Sequence, residues 1–228
     1  MDRERPTFET LKPRLNSLGF GFYGNVPREA ADPEQTIIDV VRLFREEPKA
    51  FKMLLAWLAK YSDLVHVERI RALAADLDDF EKRLIGALAL KQVECGDRRF
   101  SLVADWVKKS LGSRKPSSQM TLESDDPYLI SKYGLDEELR KFGIRSARIE
   151  AAEDKKLLAT EELLQRNTWL RFRALIGANF RADLAFIMAQ KRAGTAYQAA
   201  KILGCSHETA YRLWKGLQQY PGLEKLAG

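Results

Sequence analysis

Apolar residues return every three or four positions along almost the whole chain, and that period commits it to packed helices rather than sheets. Asp32-Pro33 reads as an N-cap followed by proline at the first helical position, with Ile37, Val40, Val41 and Phe44 at helical spacing behind it. Pro48 opens a second helix with Phe51, Leu54, Leu55, Leu58 and Ala59 on one face. A third is expected over 66–75, with Val67, Ile70, Leu73 and Ala74 inward. A fourth covers 78–91, from the caps Asp78 and Asp79 through Phe80, Leu84, Ile85 and Leu88. Only 91–103 breaks the period: it alternates around Gly96-Asp97, which is a hairpin signal. Short helices followed by a hairpin are the order of a winged helix. All-helical packing with a surface hairpin gives the same pattern. The expectation is a mostly α protein, with a winged-helix-like domain over 1–110 that begins in an irregular arm at 1–32.

The chain of 228 residues is 45% apolar and 31% charged, a balance that suits a globular protein rather than a disordered one. It has no run of about 18 apolar residues, so no membrane span is expected, and its N-terminus lacks the apolar stretch of a signal peptide. Two cysteines, Cys95 and Cys205, make no disulfide framework, which suits a reducing cytoplasm. The net charge is +6, and its placement matters more than its size. Residues 1–110 hold 19 Lys+Arg against 18 Asp+Glu, and 128–165 hold 7 against 8. Residues 166–228 hold 10 against 3. A basic excess gathered at one end is the footprint of nucleic-acid binding, although a solvated basic face would leave the same count.

Enzyme signals are weak. Gly19-Phe20-Gly21-Phe22-Tyr23-Gly24 spells G-x-G-x-x-G, but the fingerprint needs a strand before it and a helix after it. Lys12-Pro13-Arg14 precedes it and Asn25-Val26-Pro27 follows, so no dinucleotide or other cofactor is expected. His66 and His207, the two histidines, do not combine with Cys95 and Cys205 in zinc-ligand spacing. The acidic runs Asp76-Asp78-Asp79-Glu81 and 150–162 suit a helix start and a solvated face better than a metal site. No nucleophile elbow, Walker loop or H-E-x-x-H occurs, and the expectation is no catalytic residue and no enzyme.

Residues 111–127, rich in Ser, Pro and charge, are expected to be a linker. In the part beyond it, 128–228, a short helix opens at Gly134-Leu135-Asp136 and closes at Gly143. A charged helical stretch follows at 146–166, and Trp169–Gly177 forms a helix or, by its alternation, a strand. The most specific signal lies at 179–220. Asn179 caps a helix bearing Phe180, Leu184, Phe186, Ile187 and Met188, and Gly194-Thr195 breaks it and caps the next, Ala196 to Leu203. Gly204-Cys205 makes a turn, and Ser206 caps a last helix that runs to about Tyr220. Ala200 is small where two crossing helices meet, and Gly204 can leave the right-handed helical region four positions later. Ala210, Leu213 and Trp214 are the inward anchors of the last helix, with Trp214 expected to be buried.

This stretch, AAKILGCSHETAYRLWKGL, resembles the helix-turn-helix of bacterial transcriptional regulators over roughly 50 residues. The resemblance implies that the helix from Ser206 is a recognition helix in the major groove of double-stranded DNA, within a C-terminal tri-helical helix-turn-helix domain. The contact residues it implies are Ser206, His207, Glu208, Tyr211, Arg212 and Lys215. An Arg can pair bidentately with guanine, Lys215 suits a phosphate, and Glu208 can accept from cytosine or cap its own helix. A sequence-specific DNA-binding transcriptional regulator is the function expected, and half-site geometry implies a homodimer. Two alternatives stand beside it: an antitoxin-type regulator that binds DNA and neutralises a partner protein, and a helical adaptor between proteins.

Overall fold

The computed structural model describes residues 6–22, 29–112, 120–121, 127–152, 157–220 and 222–223. The chain is mostly α-helical. In order, the described helices are α1 (Phe8–Ser17), α2 (Pro33–Arg42), α3 (Pro48–Tyr61), α4 (Val67–Leu73), α5 (Asp79–Glu94), α6 (Ser101–Leu111), α7 (Pro127–Tyr133), α8 (Glu137–Lys141), α9 (Thr160–Arg166), α10 (Thr168–Ile176), α11 (Phe180–Ala189), α12 (Ala196–Leu203) and α13 (His207–Leu217). Two-residue strands β1 (Met120–Thr121) and β2 (Ile144–Arg145) pair in parallel, Met120 against Ile144 and Thr121 against Arg145.

Three sequence expectations fail, each for a local reason. The arm at 1–32 contains α1, whose Leu11 and Leu15, with Leu18 just past its end, are buried at helical spacing despite Pro13 inside the helix. The hairpin at 91–103 does not exist, and the wing expected there has no counterpart. Lys91 to Glu94 end α5, Arg98–Phe100 form one 3-10 turn capped by Asp97, and α6 begins at Ser101. The apparent alternation there was the seam between two helices, whose inward residues Phe100, Val103, Val107 and Leu111 resume the helical period. The stretch 146–166 is helical only in α9, and its residues 153–156 lie outside the described ones. Of the expected linker, 113–119 and 122–126 also lie outside. Leu111 and Gly112 end α6, β1 holds Met120 and Thr121, and Pro127 begins α7.

The chain divides into two compact units built from interleaved segments rather than at a single linker. One comprises 1–11, 37–62 and 74–155; the other comprises 12–36, 63–73 and 156–228. In the first, α5 is the central helix, packed on α3, α6 and α8. Its start is fixed by a capping box in which Asp78 accepts from the Glu81 N–H and Glu81 accepts from the Asp78 N–H. Gly86 has no side chain because the Phe142 ring occupies its place: a Cβ there would lie 2.5 Å from the ring. Asp136 ties the C-terminal side of this unit together. It caps α8 at the Leu139 N–H (3.0 Å), accepts from the Ile149 N–H (2.9 Å) and pairs with Lys91 Nζ at 2.7 Å.

In the second unit Gly19 (φ 86°) ends α1 and lies against Leu163, while Phe20 makes an antiparallel bridge to Leu157. The G-x-G-x-x-G of the sequence therefore follows a helix rather than a strand, and its Tyr23 and Gly24 lie outside the described residues. The unit's apolar core gathers Trp169, Phe172, Leu184, Phe186, Leu203 and Leu217, with the Trp169 and Phe186 rings stacked 4.6 Å apart. Trp169 to Ile176 are helix, not strand, and Gly177 ends it. Within this unit α11, α12 and α13 each pack on the other two.

Candidate functional site

The cap of α13 is local chemistry. Ser206 sits in extended conformation (φ −65°, ψ 147°), and its hydroxyl accepts from the Thr209 N–H at 3.1 Å and donates to Thr209 Oγ1 at 2.9 Å. Its hydroxyl is therefore engaged within its own helix. Thr195 caps α12 in the same way, accepting from the Gln198 N–H at 3.2 Å. Between the two helices Gly204 takes the left-handed conformation (φ 68°, ψ 31°), which lets the chain leave α12 without a Cβ penalty. The inner faces meet through Ala196, Ala200 and Ala210, small residues that allow close approach, with half-buried Cys205 and Trp214 packed against them. Burial raises the Cys205 thiol above its ordinary pKa, so it stays a neutral plug in the turn. Trp214 is half-buried rather than buried, as is Leu213. The inward anchor that sequence reading passed over is Leu217, 4% exposed, one turn further along the buried side.

All six expected contact residues, Ser206, His207, Glu208, Tyr211, Arg212 and Lys215, are exposed on or beside α13. The helix ends at Leu217, slightly short of Tyr220. The fold also brings α12 to this face, which the sequence reading missed. The Tyr197 ring lies 6.0 Å from the His207 ring, and His207 lies 6.1 Å from Tyr211. Lys201 Nζ sits 4.6 Å over the Tyr197 ring. Tyr197 and Tyr211 are 55% and 58% exposed, so this row of rings is not core. The signal was present in the sequence: Tyr197 and Lys201 are four residues apart on the side of α12 opposite its buried Ala196, Ala199, Ala200 and Leu203.

Behind this surface lies a buried ionic network that no motif announced. Glu34 accepts both terminal nitrogens of Arg173 (2.6 and 2.7 Å), Arg69 Nη1 at 2.8 Å and the His66 backbone N–H at 3.0 Å. Asp183 accepts from Trp169 Nε1 at 2.6 Å and Arg173 Nε at 2.7 Å, and its second oxygen lies 2.7 Å from His66 Nδ1. Asp32 accepts Arg69 at 2.6 and 2.9 Å while also capping α2 at the Gln35 N–H. Burial by itself would raise the Asp183 carboxyl. The Arg173 charge, the His66 hydrogen bond and the Arg69 charge outweigh it and hold Asp183 well below the usual carboxylate range. Burial likewise disfavours the charge on both guanidiniums, yet their carboxylate partners push Arg69 and Arg173 above the ordinary arginine value. Every guanidinium nitrogen of Arg69 and Arg173 is thus engaged by a carboxylate or a backbone carbonyl. The available clue was positional: Arg173 stands four residues after Trp169 and Asp183 three after Phe180, on stripes that apolar residues otherwise own.

Compared with protein-family models, with curated proteins and with solved structures, the chain matches none. Among the described residues no group of three or more His, Cys, Asp or Glu is placed to hold a metal ion, and no helix is long and apolar enough to cross a membrane.

Proposed function

We propose that this chain is a sequence-specific DNA-binding regulator in which α11, α12 and α13 form a tri-helical helix-turn-helix and α13 enters the major groove. The observation that carries it is the union of a left-handed glycine turn between α12 and α13 with an exposed face holding Arg212, Lys215, Lys201, His207 and Tyr211. An α-helix with its side chains is about 10–12 Å across, a width that the major groove, about 12 Å wide, admits. Among the described residues of this stretch Arg166, Arg181, Lys191, Lys201, Arg212 and Lys215 are exposed, while buried Arg173 and Asp183 carry opposite signs and cancel. Nothing on the exposed face of α13 asks for a protein partner instead, since its aromatic residues are interleaved with cations rather than gathered into an apolar patch.

On this proposal Arg212 reads a base edge, Lys215 and Lys201 lie over phosphates, and Glu208 accepts from cytosine or stays at the helix start, where a negative charge is favoured. The test is fluorescence anisotropy of a random-sequence duplex titrated with the full chain across a salt series. Binding should weaken with salt, with log K falling by about 0.9 per decade of salt for each phosphate contacted. A chain that binds no duplex at low salt is not a DNA-binding regulator.

A further inference from the structure

We propose that Arg69 is a positioning residue for the α12–α13 surface, holding the turn from the buried ionic network without touching any ligand. Its Nε donates to the Leu203 carbonyl at 3.2 Å, the last residue of α12. That carbonyl is one of those a helix leaves without an intrahelical partner at its C-terminus. Gly204 and Cys205 both send their N–H groups to the Ala200 carbonyl, so the turn's own hydrogen bonds leave Leu203 to Arg69. The guanidinium that reaches it cannot swing: its other two nitrogens are fixed by Asp32 and Glu34, and its side chain is fully buried. The same helix, α4, backs the turn a second way. A Cβ on Gly204 would meet the Ala72 Cβ at 3.6 Å, so α12 turns away directly against α4.

An ion cluster this largely buried is weak as a device for stability alone, because apolar residues of similar volume often serve as well or better. Its distinctive product is a rigid donor aimed in a fixed direction. Here the aim is the point at which α12 ends and the path to Ser206, His207 and the rest of α13 is set. Lysine would keep the charge and lose the planar fork, so it could not hold two carboxylates and a carbonyl together. The consequence for DNA binding rests on the proposed function; the consequence for the turn does not.

Amide hydrogen exchange of the free protein, residue by residue, separates the two. In Arg69→Lys, exchange at the Gly204 and Cys205 amides should rise about tenfold, the loss of one hydrogen bond to a charged donor, while amides within α10 and α11 keep their rates. Equal acceleration everywhere, or none at Gly204 and Cys205, would overturn the positioning role. Should Arg69→Lys fail to fold, Asp32→Asn loosens the clamp with the guanidinium still present and is expected to raise the same two rates; unchanged rates there would overturn it equally. Duplex binding by the folded variant should then fall about tenfold with no change in salt slope, because no phosphate contact is lost. Faster exchange with unaltered affinity would break the link from turn to ligand. A wild-type chain that binds no duplex refutes the DNA-binding proposal, with the exchange result still deciding the role of Arg69.

Discussion

Arg212 and Lys215 stand three residues apart on the exposed side of α13, and they should behave differently when removed. Arg212 is nearer the helix N-terminus, the end that enters a groove deepest, and its fork can match a guanine edge. Arg212→Ala should cost about 1–3 kcal/mol on the preferred sequence and relax the preference at one base pair. Lys215→Ala should weaken all sequences alike and reduce the salt slope by about one, which anisotropy on preferred and unrelated duplexes measures. In the interior, Arg173→Ala strips Glu34 and Asp183 of a shared cation and should cost about 3–5 kcal/mol in a denaturant melt. The folded-state pKa of Asp183 is depressed, so its contribution is present above the unfolded value of about 3.9 and is lost as pH falls below that toward the folded one. Acid melts of the wild type should lose stability through that window, and His66→Gln should flatten the loss. The exposed residues of α13 were legible because motif spacing names them. The network was not, because a charged residue on an apolar stripe says only that it is buried, never with whom.

At the scale of the element, caps and breakers told most of the story. Asp78, Asp136, Asn179, Thr195 and Ser206 each cap the helix expected of them, since a short polar side chain at a helix start has a fixed backbone N–H to meet. The irregular arm expected over 1–32 contains α1 instead, in which Leu11 and Leu15 are buried although Pro13 stands inside the helix. Alternation misled at 91–103, where a glycine and an aspartate between two helices imitate a hairpin turn. The junction of α12 and α13 makes these forces measurable. Ser206→Ala removes the Thr209 N–H acceptor and should cost about 1 kcal/mol in thermal or urea unfolding. Gly204→Ala has ordinary contact distance for its new methyl, 3.6 Å from Ala72, so its cost should be the conformational one of about 1 kcal/mol. In the other unit, Gly86→Ala meets the Phe142 ring at 2.5 Å and should cost more, about 1–3 kcal/mol.

For the molecule as a whole, the helical period announced the fold class and hid the organisation. Periodicity is a local property, and it cannot say that 12–36 and 63–73 join 156–228 in one compact unit. That interleaving places Glu34, His66 and Arg69 in the same unit as α12 and α13, and so supplies the Leu203 carbonyl with a donor 134 residues away in sequence. Charge was the long-range property that the sequence did carry, since the excess of 10 over 3 in 166–228 needs no fold to be counted. The central claim is that α13 reads DNA sequence with its exposed face. Its most direct measurement is selection from a random duplex pool, run in parallel on the wild-type chain and on a variant carrying Arg212→Ala with Lys215→Ala. The wild type should enrich one short sequence, repeated in inverted orientation if the chain binds as a dimer, and the variant should enrich none. Enrichment of the same sequence by both proteins, or no enrichment by either, would contradict it.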